Sequence, residues 1–464
     1  MKKIRFVTAL LLAVMLFALT AGAFVSSAAD GDAAPAEKSI FSPYESFVLL
    51  AGKKSDNNAT SHGQNQTRIV TVPSGTYFSI LTDMWNASDG LHYLISLIRR
   101  NHDGSYELLS TFDVIGVSTT GTIMADKDGN VWVYSGYCVD NGPFLFNVWL
   151  YDVATGEITN YSSRQKLKTG GGYSCACIDA ECGKIYGMTG GDKYFNWCEF
   201  DIATRTWGTA NGVKTNERYC YHYAYGDGKG GFFDVAERDA LNTMVNSNIE
   251  DLRISDAMKQ FRSRSQEPDY VWDEGHLLIV PSATVAELDN RKIDPVAYDV
   301  EKGLYPQWWN SSCDAFLDKN TGLFYVLGHQ SDNRGEYGRH DNLFVYDTND
   351  NMKEVRREDL FFLDGANVDY EHRFAQDTKG NIYMIATKND TNCIEIWRKA
   401  PDLNAPFKLV YDGVVPGGFV FLSSPIIATN RNNSILSDKL EVIAYEKTTW
   451  EWAYFTIDLT LLDD

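Results

Sequence analysis

Two stretches of the chain, YCYHYAYGD and YEHRFAQD, place a histidine five residues before an aspartate. The histidines are His222 and His372; Tyr221 precedes the first, and Arg373 follows the second. A histidine or tyrosine can act as a general base, and an arginine can neutralise a carboxylate. We therefore expect His222, His372, Arg373 and Tyr221 to be catalytic residues of a site that removes a proton beside an acid group.

Further residues suited to holding a sugar polymer lie near these positions or in loops expected beside them. Aromatic rings cover the apolar faces of sugars, while arginines and carboxylates bond hydroxyl or acid groups. The substrate-binding residues that we expect are Tyr173, Arg218, Trp308, Trp309, Tyr370, Arg238, Asp239, Asp314, Arg339 and His340. Packing between sheets is the alternative role of the aromatics, and Arg373 has an alternative partner in Glu371 or Asp314.

A repeated unit must position these residues. Each copy has an apolar run, an aspartate, a short turn closed by glycine and a second apolar run, as in GTIMADKDGNVWVYSG and HRFAQDTKGNIYMIAT. Aspartate and glycine tolerate the backbone angles of hairpin turns. The aspartates stand at positions 126, 179, 227, 273, 318 and 377, with spacings of 53, 48, 46, 45 and 59 residues. A period near 50 residues with several strands per repeat is typical of a β-propeller.

The fold class that follows is all-β, a single β-propeller of seven or eight four-stranded blades, with seven favoured. Stretches such as FNVWLYDVATGEITNYS supply the second pair of strands in a blade. A strand within residues 44–51 is expected to complete the last blade, a Velcro-type closure that removes an exposed edge. Residues 248–262 are the exception, because their pattern favours a helix.

The pattern resembles the exported bacterial propellers of the sialidase-like (BNR repeat) group. The stretches DKDGNVWV and YDVATGEITNY also look like units of kelch-type and two-component-regulator propellers. The resemblance implies the propeller fold. No repeat carries the Asp-box pattern Ser-x-Asp-x-Gly-x-Thr-Trp, so no sialidase catalytic residue is carried over. In a propeller, the loops before the innermost strands form the rim of the central funnel, where ligands usually bind.

The N-terminus has the pattern of a signal peptide. Residues 1–5 are basic, an apolar run extends from residue 6 to about residue 25, and small residues that suit cleavage follow. We predict a signal peptide at 1–29, a linker at 30–42 and the propeller domain at 43–464, in a secreted or cell-surface protein. An uncleaved membrane anchor is the alternative. No later segment has a comparable apolar run, so we expect no membrane contact after cleavage.

The net charge of −20 at pH 7 limits the partners. Nucleic acids and anionic membranes bind clustered Lys and Arg, so we expect neither. Eight cysteines permit disulfides or buried thiols, and their spacing matches no common zinc pattern. The turn DKDGN lacks the further oxygen ligands and closing glutamate of a calcium loop. We predict no metal, no cofactor and a monomer.

Three functions remain open from the sequence. A carbohydrate-active enzyme is favoured. It would be a glycosidase with two carboxylates drawn from Asp239, Asp273, Asp314 and Glu371, or a polysaccharide lyase in which Arg373 neutralises a uronate. A glycan-binding or surface-binding propeller without catalysis is the main alternative, and a protein-interaction platform is the third. The expected partner is an oligo- or polysaccharide.

Overall fold

A computed structural model shows how the chain forms its strands. It describes residues 39–47, 68–87, 90–115, 122–138, 143–167, 174–190, 194–214, 220–237, 243–246, 278–280, 304–306, 314–332, 339–350, 353–359, 370–388, 390–422, 425–449 and 451–462. The predicted signal peptide, most of the predicted linker and the helix expected over 248–262 lie outside these residues. No helix in the described ranges is long and apolar enough to span a membrane.

The described residues form strands β1 to β30 in seven sheets that follow one another along the chain. Sheet 1 contains β2 (Ile69–Val72), β3 (Gly75–Ala87), β4 (Gly90–Arg100) and β5 (Tyr106–Ile115). Sheet 2 contains β6 (Thr122–Ala125), β7 (Val131–Cys138), β8 (Phe144–Tyr151) and β9 (Ile158–Gln165). Sheet 3 contains β10 (Ser174–Asp179), β11 (Lys184–Gly190), β12 (Tyr194–Asp201), β13 (Thr206–Trp207) and β14 (Asn211–Lys214).

The second half of the chain forms the other four sheets. Sheet 4 contains β15 (Cys220–Gly226), β16 (Phe232–Glu237), β17 (Thr243–Asn246) and β18 (Leu278–Val280). Sheet 5 contains β19 (Leu304–Pro306), β20 (Asp314–Asp318), β21 (Leu323–Asp332), β22 (Arg339–Asp347) and β23 (Lys353–Asp359). Sheet 6 contains β24 (Tyr370–Gln376), β25 (Ile382–Lys388), β26 (Cys393–Lys399) and β27 (Lys408–Val414). Sheet 7 contains β28 (Ile426–Ile427), β29 (Lys439–Glu446), β30 (Glu451–Asp458) and β1 (Glu45–Phe47), with 3₁₀ turns at Asn430–Asn432 and Leu459–Leu461.

Six of these sheets hold a complete four-stranded antiparallel blade. In sheets 3 and 5 one strand is in two pieces, because β13 and β14 both pair with β12, and β19 and β20 both pair with β21. Sheet 4 differs, since β18 pairs parallel to β17. The prediction of seven or eight four-stranded blades is therefore wrong: the described residues form six. A parallel pair needs a long crossover, which a count of local hairpins does not detect.

The innermost strands arrange the sheets as a β-propeller. Each inner strand contacts the next, from β2 through β6, β10, β15, β20 and β24 to β28. Sheet 7 returns to sheet 1 through β29 and β2. β1 pairs antiparallel with β30, so an N-terminal strand completes sheet 7, as the sequence predicted. Phe41 bridges to Ile457, and both are buried in the core between sheets 6 and 7.

Apolar side chains fill the spaces between neighbouring sheets. Val70 and Tyr77 of sheet 1 pack with Ile123 of sheet 2. Ile69 and Phe78 belong to the cluster that joins sheet 1 to sheet 7. Successive residues of a strand point to opposite faces, so each blade needs apolar residues on both. Burial of each such side chain stabilises the fold by about 1.5–3 kcal/mol, which explains the continuous apolar runs.

The repeated aspartates fix the turns between the first and second strands. Asp377 accepts hydrogen bonds from the backbone N–H of Asn381 at 2.8 Å and from its side-chain amide at 2.7 Å. Asp126 makes the equivalent bonds in sheet 2. Gly380 has a φ of 86°, in the left-handed region that favours glycine. Asp273, which the sequence placed in the same series, lies outside the described residues.

Candidate functional site

The structure describes the side chains of two residues predicted for the site, Arg373 and Asp314. Six others lie in strands of which the backbone alone is described: Tyr221, His222, Arg339, His340, Tyr370 and His372. The remaining six lie outside the described residues: Tyr173, Arg218, Arg238, Asp239, Trp308 and Trp309. The geometry of the candidate site therefore rests on Arg373, Asp314 and their neighbours.

The backbones of the two histidines take equivalent places near the start of inner strands. His222 pairs with Ala236 across β15 and β16, and His372 pairs with Ala386 across β24 and β25. A register shift between Cys220 and His222 marks a bulge in β15. Bulges often occur next to active sites, where they redirect a side chain. The inner strands of sheets 4 and 6 thus each have a histidine as their third residue.

Asp314, the first residue of β20, joins sheet 5 to sheet 6. Its side chain is buried, at 7% exposure. Oδ1 accepts a hydrogen bond from the N–H of Ala315 at 2.9 Å. Oδ2 accepts from the N–H of Phe374, in the inner strand of sheet 6, at 2.8 Å. Backbone donors therefore fix both oxygens of this carboxylate between two inner strands.

Two arginines lie close enough to Asp314 to influence its charge. Arg373 stands in β24 and is also 7% exposed. Arg431 comes from the 3₁₀ turn that follows β28, and its guanidinium carbon lies 5.5 Å from the centre of the Tyr225 ring. The Tyr225 hydroxyl donates to the carbonyl of Ala315, the residue after the aspartate. We call Asp314, Arg373 and Arg431 the central charged cluster.

The pKa of Asp314 reflects these surroundings. Burial raises it above its usual value, because a carboxylate loses its hydration, whereas the charges of Arg373 and then Arg431 lower it. The net direction is upward. Asp314, one of the two alternative partners expected for Arg373, thus lies within reach of its charge, and the side chain of the other, Glu371, lies outside the described residues. The central charged cluster thus brings two guanidinium groups near one buried carboxylate.

A turn after β28 occupies the centre of the propeller, and we call residues 429–434 the plug. The Asn432 side-chain amide donates to the carbonyl of Ile69 in sheet 1 and to that of Ile123 in sheet 2, the latter at 3.2 Å. Asn430 bonds a sheet 5 carbonyl in the same way. Sequence reasoning missed the plug, because NRNNS after a strand reads as an ordinary polar loop. The sequence feature that could have revealed the plug is the run of asparagines, whose side-chain amides can donate hydrogen bonds to strand carbonyls.

Arg68, directly before the inner strand of sheet 1, was also missed. It is 1% exposed, and no described residue accepts a hydrogen bond from its three guanidinium nitrogens. The guanidinium carbon lies 5.7 Å from the centre of the Trp452 ring. Burial lowers the pKa of Arg68 to about 10. Pro73 and Ser74 occupy the turn where other sheets have aspartate, so alignment on the aspartates passed over this residue.

The described residues offer neither a metal-binding group nor a disulfide at the three cysteines named below. Within them, no group of three His, Cys, Asp or Glu side chains could hold a metal ion. Cys182, Cys198 and Cys393 form no disulfide. That the whole chain uses neither a metal nor a cofactor stays a prediction.

Comparison with known proteins gives structural matches alone. No family model and no curated protein matches the chain. The polysaccharide lyase Uly1 is 12% identical, with a TM-score of 0.49 over 85% of this chain and 90% of the other. An ulvan lyase of polysaccharide lyase family PL25, solved with -[GlcA(1-4)Rha3S]- bound, is 14% identical, with a TM-score of 0.45 over 85% and 93%. A periplasmic gluconolactonase of Pseudomonas aeruginosa is 12% identical, with a TM-score of 0.39 over 84% and 98%.

These similarities are too low to carry a residue role or a substrate to this chain. The propeller fold rests instead on the observed strand pairing and on the order of the inner strands. Sequence comparison gives no sialidase-like match, so the resemblance to the BNR group has no support beyond the shared propeller architecture.

Proposed function

We propose that this protein binds an acidic polysaccharide at the end of the propeller where the inner strands begin and cleaves it by elimination at a uronate. The observation that carries the proposal is the central charged cluster, in which the charges of Arg373 and Arg431 act on the buried carboxylate of Asp314. The chain as a whole has a net charge of −20, which repels a polyanion at long range. A local excess of positive charge is therefore what binding of a uronate requires.

Elimination needs a base and a group that stabilises negative charge. The base removes the proton from the sugar carbon beside the carboxylate, and a carbon–carbon double bond forms. The bond to the leaving oxygen breaks, and that oxygen takes up a proton. Arg373 supplies the positive charge that stabilises the carboxylate during this step. His222, His372 or Tyr221 supplies the base.

Hydrolysis by paired carboxylates receives less support. Asp314 is one of the four carboxylates suggested for it, and both of its oxygens accept hydrogen bonds from backbone N–H groups. A carboxylate held in this way beside two arginines is poorly placed to give a proton to a leaving group. The structure does not describe the side chains of the other three, which are Asp239, Asp273 and Glu371.

Binding without cleavage is the second candidate, and the burial of Arg373 favours it. A side chain with 7% exposure offers a substrate little surface to contact. In that case the central charged cluster attracts the polymer electrostatically, and no proton is removed. We include an extracytoplasmic location in both proposals, because the N-terminal pattern is that of an exported chain.

Mass spectrometry of polysaccharide fragments distinguishes these candidates. The protein lacking residues 1–29 is incubated with a panel of uronate-containing polymers. We expect fragments that carry a new double bond and have gained no water. The His222→Ala/His372→Ala double variant and Arg373→Met should each cleave at least about 100-fold more slowly. Fragments that have gained water would contradict elimination, and binding without any fragments would favour the second candidate.

A further inference from the structure

Arg431 meets solvent to a greater extent than the other members of the central charged cluster. Arg373 and Asp314 are each 7% exposed, whereas Arg431 is only partly buried. An arginine that binds a ligand must be reachable, because its N–H groups exchange hydrogen bonds with water for hydrogen bonds with the ligand. Arg431 satisfies this condition better than Arg373 does.

Hydrogen bonds on both sides of Arg431 hold its backbone at the centre of the propeller. The Asn430 amide donates to the carbonyl of Leu317 in sheet 5, and the Asn432 amide donates to the carbonyl of Ile123 in sheet 2, each at 3.2 Å. The 3₁₀ turn that these residues share with Arg431 also contacts the inner strands of sheets 3 and 4. Inner strands of four sheets therefore lie around Arg431, so the solvent that reaches its side chain lies at the centre of the propeller.

The guanidinium of Arg431 lies nearer the start of β20 than the neighbouring plug residue does. That residue bonds the carbonyl of Leu317 through its side-chain amide. The guanidinium carbon of Arg431 lies 5.5 Å from the centre of the Tyr225 ring, whose hydroxyl donates to the carbonyl of Ala315. Its charge also opposes the rise that burial causes in the pKa of Asp314, the first residue of β20. A cation–π contact thus holds the guanidinium, which is directed toward the end of the propeller where the inner strands begin.

We infer that Arg431 binds an acid group of the polysaccharide directly and thereby selects acidic polymers over neutral ones. A guanidinium presents two parallel N–H donors that match the two oxygens of a carboxylate. The contact with Tyr225 reduces the number of side-chain conformations that binding must fix. Arg373 is more deeply buried and stabilises the same acid group through its charge. The inference rests on the proposed function, since it names the residue that contacts the substrate at the same site.

Calorimetric titration of the protein that lacks residues 1–29 tests this assignment. The ligands are polygalacturonate, alginate and hyaluronan, and the polymer that binds most tightly is titrated again after its carboxyl groups have been reduced to alcohols. The proteins compared are the wild type, Arg431→Met, Arg431→Lys and Arg205→Met. Arg205 provides the matched control, because it is also only partly buried and its guanidinium carbon lies 4.9 Å from the centre of the Trp132 ring. It lies in the turn between β12 and β13 and not in the plug.

Arg431→Met should bind the acidic polymer about tenfold or more weakly than the wild type, and the two proteins should bind the reduced polymer equally. Arg431→Lys keeps the charge but loses the paired donors, so its affinity for the acidic polymer should lie between those of the wild type and Arg431→Met. This variant provides the test if Arg431→Met does not fold. Arg205→Met should match the wild type. Equal affinity of the wild type and both Arg431 variants for the acidic polymer would overturn the inference.

Steady-state kinetics separates a binding role of Arg431 from a structural one. Loss of a contact that is equally strong in the ground state and the transition state raises KM, so we expect a KM about tenfold or more higher in Arg431→Met with a smaller change in kcat. An equal loss of affinity for the acidic and the reduced polymer would overturn the inference, because it would show that Arg431 acts through the structure of the plug. Binding that depends on Arg431 without unsaturated product would support the inference and contradict elimination. A wild type that binds none of the three polymers would overturn the inference and the proposed function together.

Discussion

Among single residues, hydrogen-bond partners decide what each aspartate does. Asp126 and Asp377 accept bonds from their own turns and fix local hairpins. Asp314 instead accepts a bond from Phe374 of the neighbouring sheet and lies near the positive charge of Arg373. One type of side chain thus fixes a turn in one place and joins two sheets in another, according to its neighbours.

Replacement of Arg373 by methionine should destabilise the protein by about 2–4 kcal/mol at pH 7, because it leaves Asp314 with less positive charge nearby. Burial already raises the pKa of Asp314, and loss of the arginine raises it further. An aspartate with a raised folded-state pKa opposes folding above that pKa, and the penalty disappears as pH falls through it. Urea unfolding should therefore show that Arg373→Met loses less stability relative to the wild type near pH 4 than at pH 7.

The double variant Arg373→Met/Asp314→Asn provides the control for this coupling. It removes both charges and should lose less stability than the two single variants added together, by about 1 kcal/mol or more. A pH-independent loss in Arg373→Met, with additive effects in the double variant, would contradict the electrostatic link between the two residues.

Sequence reasoning singled out Arg373 and passed over Arg68 for a physical reason. Arg373 lies between a histidine and a turn aspartate, and the same spacing recurs around His222. Arg68 is followed by a turn that Pro73 and Ser74 form without aspartate, so no repeat marked its position. Its burial depends on residues of sheet 7 that are distant in sequence.

Among the strands and turns, the local hairpins could be predicted and the assembly of some sheets could not. Turn aspartates followed by glycine specify adjacent antiparallel strands, which the structure confirms in sheets 2 to 6. The pairing of β18 with β17 is parallel and joins segments that are distant in the chain. Hydrophobic alternation assigns residues to faces but does not choose between such distant partners.

The plug should contribute measurably to stability, because the Asn432 amide bonds carbonyls of sheets 1 and 2. Asn432→Ala removes both bonds and should lower the free energy of unfolding by about 1–3 kcal/mol. Asn432→Asp keeps the shape of the side chain but places a carboxylate oxygen, which can only accept, against two carbonyls. It should therefore lower the free energy of unfolding more than Asn432→Ala does. Urea unfolding of both variants gives the comparison. Wild-type stability in either variant would show that the plug does not hold the inner strands together.

The closing strand β1 is joined to sheet 1 by an ion pair. Glu45 accepts bonds from Arg100 at 2.7 and 3.0 Å and from the Tyr106 hydroxyl at 2.6 Å. The bonds from Arg100 hold the pKa of Glu45 below its usual value. A glutamate with a lowered folded-state pKa stabilises the fold above its unfolded pKa, and this contribution is lost as pH falls through the folded-state value.

Glu45→Gln should therefore lose about 0.5–1 kcal/mol at pH 7 and approach the stability of the wild type as the pH falls below 4. Glu107→Gln is the matched control, since its partner Arg99 lies in the same sheet but the pair does not involve β1. Glu107→Gln should lose less stability at pH 7 than Glu45→Gln. Equal effects of both substitutions in chemical unfolding would show that the pair at Glu45 adds nothing to closure.

For the propeller considered as one body, charge is distributed unevenly. The chain is strongly acidic, yet Arg373 and Arg431 lie near the inner strands, where Asp314 is a described acidic neighbour of both. Composition alone therefore does not indicate that arginines lie near the inner strands. The architecture was readable from the repeat, because each unit forms a local hairpin. The number of regular blades and the plug were not, because both depend on contacts between distant units.

Elimination at a uronate requires an acid group on the polymer. The most direct test compares one uronate polysaccharide with the same polymer after its carboxyl groups have been reduced to alcohols. Unsaturated product is followed by ultraviolet absorbance, with Arg373→Met as the variant. We predict product from the acidic polymer alone, and little or none with the variant. Equal cleavage of both polymers, or fragments that have gained water, would contradict the proposed function.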